Sequence, residues 1–139
     1  MIRLKNEEQI NGIRKSCHLL ADLFNEIIPK VKPGVSTKEI DDWCVNFARK
    51  FGATPAWYEE DFPGCACISI NNQVIHGVPS KKRIVKDGDI VSLDIGLNLK
   101  GYISDSTHTV LVGNVKPAHQ KLCRVTRECL LAGIDACKA

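Results

Sequence analysis

Asp94 and Asp105 lie in the stretch SLDIGLNLKGYISDSTHT, residues 92–109, which otherwise reads as two strands around a short turn. Strands disfavour aspartate, so the pair asks for a reason. Folding the hairpin about a four-residue loop, Asn98–Gly101, sets the two side chains directly opposite each other. Their β-carbons would then stand about 4.5–5.5 Å apart. Strand alternation sends Val91, Leu93, Ile95 and Leu97 to one face and Ser92, Asp94 and Gly96 to the other. The apolar set needs the core, so both carboxylates share the opposite face. Like charges that close repel, and burying them is costly.

Three arrangements relieve that repulsion. Divalent cations bridged between the carboxylates turn it into coordination. A shared proton makes a carboxylate dyad. A bulge that shifts the register leaves both groups in water. Strand pairing alone leaves all three open. Hard oxygen donors suit manganese, iron(II), cobalt or magnesium better than a thiolate zinc site does. Two close cations also activate a water and clamp a scissile carbonyl, the usual dinuclear hydrolase arrangement.

His76, in NNQVIHGVPS, stands at a strand-to-loop transition before Gly77 and Pro79. A lone histidine is often structural, but its loop position points towards function. Cys65 and Cys67 are two of seven cysteines, an odd number with no secreted-scaffold spacing. No second Cys or His pair sits at zinc-site spacing, so free buried thiols in a reducing compartment are the simplest account.

The elements that position these residues follow from periodicity. Ile10, Ile13, Cys17, Leu20, Leu23, Phe24 and Ile27 recur at helical spacing over residues 7–30, ending near Pro29. Ser36 and Glu39 form a capping box for a helix over residues 37–51, with Ile40, Trp43, Cys44 and Phe47 inward and Gly52 as its stop. CACISI is a short strand, residues 90–97 and 102–112 are strands, and residues 117–138 are helical. The order helix, helix, antiparallel strands, helix predicts an α+β class. CHLLADLFNEI and ECLLAGIDACK, residues 17–27 and 128–138, share Leu-Leu-Ala at matching positions. The match hints that a second copy of the first unit begins near residue 117.

The 139 residues, 44% hydrophobic and 25% charged, suit one globular domain. A net charge of +3 is too small to argue for nucleic acid. Lys81, Lys82 and Arg83 read as a solvated loop rather than a phosphate patch. No apolar run approaches the roughly 20 residues of a membrane helix. MIRLKNEEQINGIRKS is amphipathic, with no signal-peptide core, so the expected location is cytoplasmic.

Three runs, CISINNQVIHGVPS, VKDGDIVSLDIG and GYISDSTHTVLVG, together resemble the N-terminal half of the bacterial type I methionine aminopeptidases. The resemblance extends from about residue 3 to residue 139 and includes the spacing of His76, Asp94 and Asp105. It implies a pita-bread fold, two αβ halves about a pseudo-two-fold axis with an antiparallel sheet covered by helices. Residues 1–116 would be the first half and residues 117–139 the truncated start of the second. It implies hydrolytic removal of the initiator methionine from nascent polypeptides, at the ribosome. Asp94 matches the ligand of one metal and Asp105 the bridge between two, the metals being manganese, iron(II) or cobalt. His76 matches the histidine that hydrogen-bonds the substrate at the scissile amide. Phe62 and Cys67 match the lining of the methionine pocket, where a soft thiol suits a thioether. Trp57 and Tyr58 adjoin another pocket position, at which Glu59 aligns. Asn71 lies in the segment matching a monovalent-cation loop.

The chain departs from the family pattern at Ile75, often a cysteine, and at His108, often lysine or arginine. His108 faces away from Asp105 on a regular strand, so it is not expected to be a ligand. The family draws one histidine and two glutamates, one of them the general base, from its second half. The chain alone is therefore expected to bind metal weakly or not at all and to hydrolyse little. It is also expected to expose apolar and strand-edge surface that a C-terminal half, or a self-association partner, would cover. No membrane and no specific nucleic acid is expected as a partner. The alternative reading is a catalytically dead pita-bread module that binds peptides or ribosomes; loss of the aspartates would mark it, and both are present. A prolidase-like peptidase fits less well, because the segment before the strands is short.

Overall fold

The computed structural model describes residues 3–60 and 62–138. Helix α1 spans Glu7–Ile27 and helix α2 spans Thr37–Lys50. Strand β1 is Thr54–Pro55, β2 is Ala66–Ile70, β3 is Ile90–Leu99 and β4 is Tyr102–Leu111. Helix α3, Pro117–Ala136, closes the order.

Both long N-terminal helices begin at reciprocal caps. Asn6 Oδ1 accepts from the Gln9 amide at 2.9 Å, and Gln9 Oε1 accepts from the Asn6 amide at 3.0 Å. This is a capping box written with Asn and Gln. Ser36 Oγ accepts from the Glu39 amide at 3.2 Å, and Glu39 Oε2 accepts from the Ser36 amide at 2.9 Å. At the far end of α2, Gly52 donates to Arg49 O at 3.2 Å and Ala53 to Ala48 O at 2.9 Å. Those two bonds are the Schellman pattern, with Gly52 at a φ of 69°.

The buried face of α1 differs from the expected stripe. Leu20, Leu23, Phe24 and Ile27 are buried as predicted, but Cys17 is exposed and Ser16 is fully buried in its place. Ser16 Oγ donates to Ser104 Oγ at 2.9 Å, so the inward hydroxyl has a partner. Near its start α1 turns Ile10 towards water, 43% exposed.

All strand pairs are antiparallel. β3 is central: β4 runs along one edge, and β2 and β1 share the other. Val91, Leu93, Ile95 and Leu97 are wholly buried beneath α1 and α2, in one cluster with Ile40, Cys44, Phe47 and Ile68. The opposite face of β3 carries Ser92, Asp94 and Gly96, as alternation requires.

The hairpin register corrects the sequence expectation. Leu99 pairs with Tyr102 and Asn98 with Ile103, so the connection is the two residues Lys100–Gly101 and not a four-residue loop. Lys100 and Gly101 take φ values of 54° and 87°. Positive φ at both central positions is the type I′ requirement, and that turn matches the twist of the flanking strands. Asn98 Oδ1 accepts from the Gly101 amide at 2.8 Å and fastens it. The first strand therefore runs two residues further than expected while the second starts at Tyr102 as expected, and partners shift by two.

Helix α3 buries no side chain among the described residues. Its Leu130 and Leu131 are 63% and 45% exposed, while Leu20 of the matching α1 tripeptide is 3% exposed. The same three residues thus meet different surroundings: α1 packs closely on β3 and β4, whereas α3 meets the hairpin across a cavity lined by Ser92, Thr107 and Thr109 on one side and Cys123, Thr126 and Leu130 on the other. No helix among the described residues is long and apolar enough to cross a membrane.

Candidate functional site

Asp94 pairs with Thr107, and Asp105 pairs with Gly96. The two aspartates are therefore diagonal neighbours, not direct opposites. Because the shift is an even number of residues, they keep one face. Diagonal positions stand about 7–8 Å apart at the backbone, still within reach of each other's side chains. Thr107 Oγ1 donates to Asp94 Oδ1 at 2.8 Å and fixes that carboxylate's direction.

On the other side of β3, Cys67 pairs with Asp94. One row across the sheet thus reads Cys67, Asp94, Thr107, and the next row holds Gly96 and Asp105. Cys67 is 5% exposed. Burial, and then the charges of Asp94 and Asp105, push its thiol up to about 11, so it presents a neutral sulfur. The Asp105 carboxyl is also raised, first by partial burial and then by the Asp94 charge. The two carboxylates therefore interact across the diagonal. A cation between them would remove the repulsion that lifts Asp105.

Asp94 and Asp105 offer hard oxygens on one face, which fits a hard divalent ion. Among the described residues no group of three or more His, Cys, Asp or Glu side chains is placed to hold a metal. The pair alone could supply only part of a ligand set.

His76 sits exposed at the rim of this face with a φ of 56°, in the left-handed region that non-glycine residues seldom enter. The loop that carries it is stitched to β2. Ile68 donates its amide to Gly77 O at 2.8 Å, and the Gly77 amide donates to Ser69 Oγ at 3.2 Å. Ser69 shares the Cys67 side of β2, so the residue after His76 is tied to the carboxylate face. Phe62 is half-buried at the end of a 3-10 turn, Ala56–Glu60, and its amide donates to Trp57 O at 3.3 Å. Tyr58 is 52% exposed; the Glu59 side chain lies outside the described residues.

Asn71 is a clasp at the base of β3. Its Nδ2 donates to Asp89 Oδ1 at 2.8 Å and its Oδ1 accepts from the Ile90 amide at 3.0 Å. Both ends of its side-chain amide are thereby engaged inside the protein. His108 pairs with Leu93 and packs its ring 4.3 Å from that of Phe24, on the helix-covered face away from the carboxylates. Lys81, Lys82 and Arg83 are exposed loop residues, and Arg83 O accepts from the Thr37 amide at 2.9 Å.

Two residues that shape the site stand outside the sequence-based candidates. Thr107 shares the parity of Asp105 along its strand, a clue available in SDSTHT. Asp41 had none: it lies on the inner face of α2, 1% exposed, and accepts from the Cys65 and Ala66 amides at 2.7 and 3.1 Å. Lys38 Nζ reaches its second oxygen at 3.1 Å. Asp41 thereby anchors the start of β2 just before Cys67.

The model of metallopeptidase family M24 matches residues 11–139. The methionine aminopeptidase of Treponema pallidum is 59% identical over the whole chain, which covers 54% of that relative. That of Clostridium perfringens is 45% identical over 97% of the chain and 54% of the relative. The crystal structure of methionine aminopeptidase from Thermotoga maritima superposes with a TM-score of 0.95 at 31% identity, over 99% of this chain and 56% of that one. That from Rickettsia prowazekii gives 0.92 at 34% identity, over 96% and 54%. The chain thus spans about half the length of the relatives it matches.

Proposed function

This chain belongs to metallopeptidase family M24, and from that premise we propose that it supplies the aspartate-bearing half of an aminopeptidase removing N-terminal methionine from polypeptides. Its α+β architecture is one half of the pita-bread fold of its structural neighbours. The observation that carries the reading is the shared face: Asp94 and Asp105 lie diagonal to each other, with Cys67 in register with Asp94.

Asp94 and Asp105 would hold divalent ions, manganese, iron(II) or cobalt. Thr107 orients the first carboxylate by its hydrogen bond. When bound, such ions supply Lewis acidity to a scissile carbonyl. His76, at the rim, donates a hydrogen bond to the scissile amide and holds it over the face. Cys67, kept neutral, offers a soft surface to a thioether, and Phe62 adds an apolar one. Asn71 secures the segment proposed as a monovalent-cation loop. The polypeptide partner is a nascent N-terminus at the ribosome, in the cytoplasm.

Two carboxylates without a third grouped ligand hold metal weakly, and they offer no general base. The isolated chain is therefore expected to cleave a Met-Ala-Ser peptide little, with or without manganese. Isothermal titration with manganese tests the site directly. Binding should be weak in the chain and lost in Asp94→Asn; equal affinity in both would remove the metal assignment.

A further inference from the structure

The helix-covered side of the hairpin, opposite the carboxylates, holds a cavity of about 600 Å³. Glu8, Gly12 and Lys15 of α1, Phe51 after α2, and Lys100 and Tyr102 at the hairpin turn line it. That size lies within the ~300–1,000 Å³ of small-molecule sites. Parity fixes its side of the sheet. Tyr102 shares the strand parity of Ser104, which is buried against Ser16 of α1, while Asp105 has the other parity.

Two of these residues go against local preference. Gly12 lies inside α1, where glycine is destabilising relative to alanine. A β-carbon on Gly12 would overlap Tyr102 Cδ2, Cε2 and Cζ, so the missing side chain is what lets that ring rest on the helix. Lys100 takes the first central position of the type I′ turn at a φ of 54°, a place that Asn, Asp and Gly favour. Gly12 thus seats an aromatic ring, and Lys100 brings a cation that the turn does not need. Both overridden preferences meet at one cavity, and such positions are where function is expected.

The cavity offers two kinds of contact. Tyr102, half-buried, and Phe51, 47% exposed, give aromatic surface. Phe51 packs on Phe47 with ring centroids 4.6 Å apart, and Lys50 Nζ stands 5.2 Å from its ring centre. Lys15 and Lys100 add two more cations, and among the described residues neither has a carboxylate at ion-pair distance. Glu8 is the one carboxylate of the lining. Exposed aromatic rings beside unpaired cations fit a planar ring that carries a negative group. Two lysines balance the charge of one phosphate, about −2.

We propose that this cavity binds a purine nucleoside monophosphate. The base lies against Tyr102 and Phe51, Lys15 and Lys100 hold the phosphate, and Glu8 accepts from the ribose hydroxyls. The site is separate from the aspartate face and does not depend on the peptidase reading.

Isothermal titration of the chain with AMP, adenosine and inorganic phosphate, each without metal, tests it. AMP should bind saturably, one per chain, and at least about tenfold tighter than adenosine or phosphate. Lys100→Asn gives the Asn-Gly pair that a type I′ turn prefers. That variant should melt no lower than the parent yet bind AMP at least about fivefold more weakly. Gly12→Ala, whose methyl pushes the Tyr102 ring off the helix, should also weaken AMP binding, and Asp94→Asn should leave it unchanged. No saturable AMP binding, AMP no tighter than phosphate, or parental affinity in Lys100→Asn overturns the proposal. Loss of AMP binding in Asp94→Asn overturns it too, because the nucleotide would then sit on the carboxylate face. The manganese titration reads the metallopeptidase assignment separately.

Discussion

Asp94 and Thr107 stand directly opposite each other in the central hairpin, joined by a hydrogen bond of 2.8 Å from the threonine hydroxyl to one carboxylate oxygen. The bond leaves Asp94 a single preferred orientation towards the face it shares with Asp105. Groups that orient a metal-binding carboxylate in this way commonly govern affinity as strongly as some ligands do.

Thr107→Val should therefore weaken manganese binding by about 10–100-fold while leaving the fold intact. Isothermal titration measures the first and circular dichroism the second. A Thr107→Val chain that binds manganese as the parent does would show that Asp94 needs no support from its neighbour.

Asp41 is expected to be the most sensitive buried polar residue. Asp41→Ala strands the amides of Cys65 and Ala66 inside the core and should cost about 3 kcal/mol or more. Asp41→Asn keeps an oxygen for both amides and should cost distinctly less. Urea denaturation of the three chains gives the ranking; equal losses in the two variants would mean that charge, not acceptance, is what Asp41 contributes.

The α2 cap gives stability a defined pH dependence. The Ser36 hydroxyl, and then its amide, hold the Glu39 carboxyl below its ordinary value of 4.5. A depressed acid contributes stability that is present above the unfolded value and fades as pH falls towards the folded one. Glu39→Gln caps without titrating. The stability gap between parent and variant should be open at about pH 6 and shrink as pH falls below the ordinary carboxylate value towards the lower folded one. Thermal melts across that range read it, and a gap that widened on acidification would contradict the cap. Ser36→Ala should separately cost about 1 kcal/mol.

Thiol reactivity should divide the cysteines by burial. Cys44 is raised well above the ordinary thiol range, first by burial and then by neighbouring Cys65, while burial and then Asp41 push Cys65 up to about 12. Cys17, Cys129 and Cys137 are exposed. At about pH 8, iodoacetamide should label those three and spare Cys44, Cys65 and Cys67 until the chain is unfolded. Peptide mass spectrometry resolves the sites; early labelling of Cys67 would place it outside the buried row.

The site was legible in part, for identifiable reasons. Strand alternation has a period of two, so an error of two residues in register leaves every side chain on its own face. That is why Asp94 and Asp105 share a face even though the expected loop was wrong. The error came from Lys100, which adopts the left-handed conformation that a type I′ turn demands but that lysine does not advertise. Helix ends were legible where a cap was local, as at Ser36 and Glu39. The inward side of α1 was less so, because the stripe from Ile10 to Ile27 does not show that Ser16 would find Ser104 and displace Cys17 from the buried face.

The sequence by itself determined the order of elements, the two faces of the hairpin and the two carboxylates that share one of them. Those features depend on local periodicity, capping and side-chain chemistry, which travel with the chain. Only the tertiary structure decided that Cys67 meets Asp94, that Asp41 holds the start of β2, and that Trp57 occupies the space above Gly96. Each joins residues from 24 to 39 positions apart. Such contacts are set by where separate strands and helices pack, and no short window of sequence contains them.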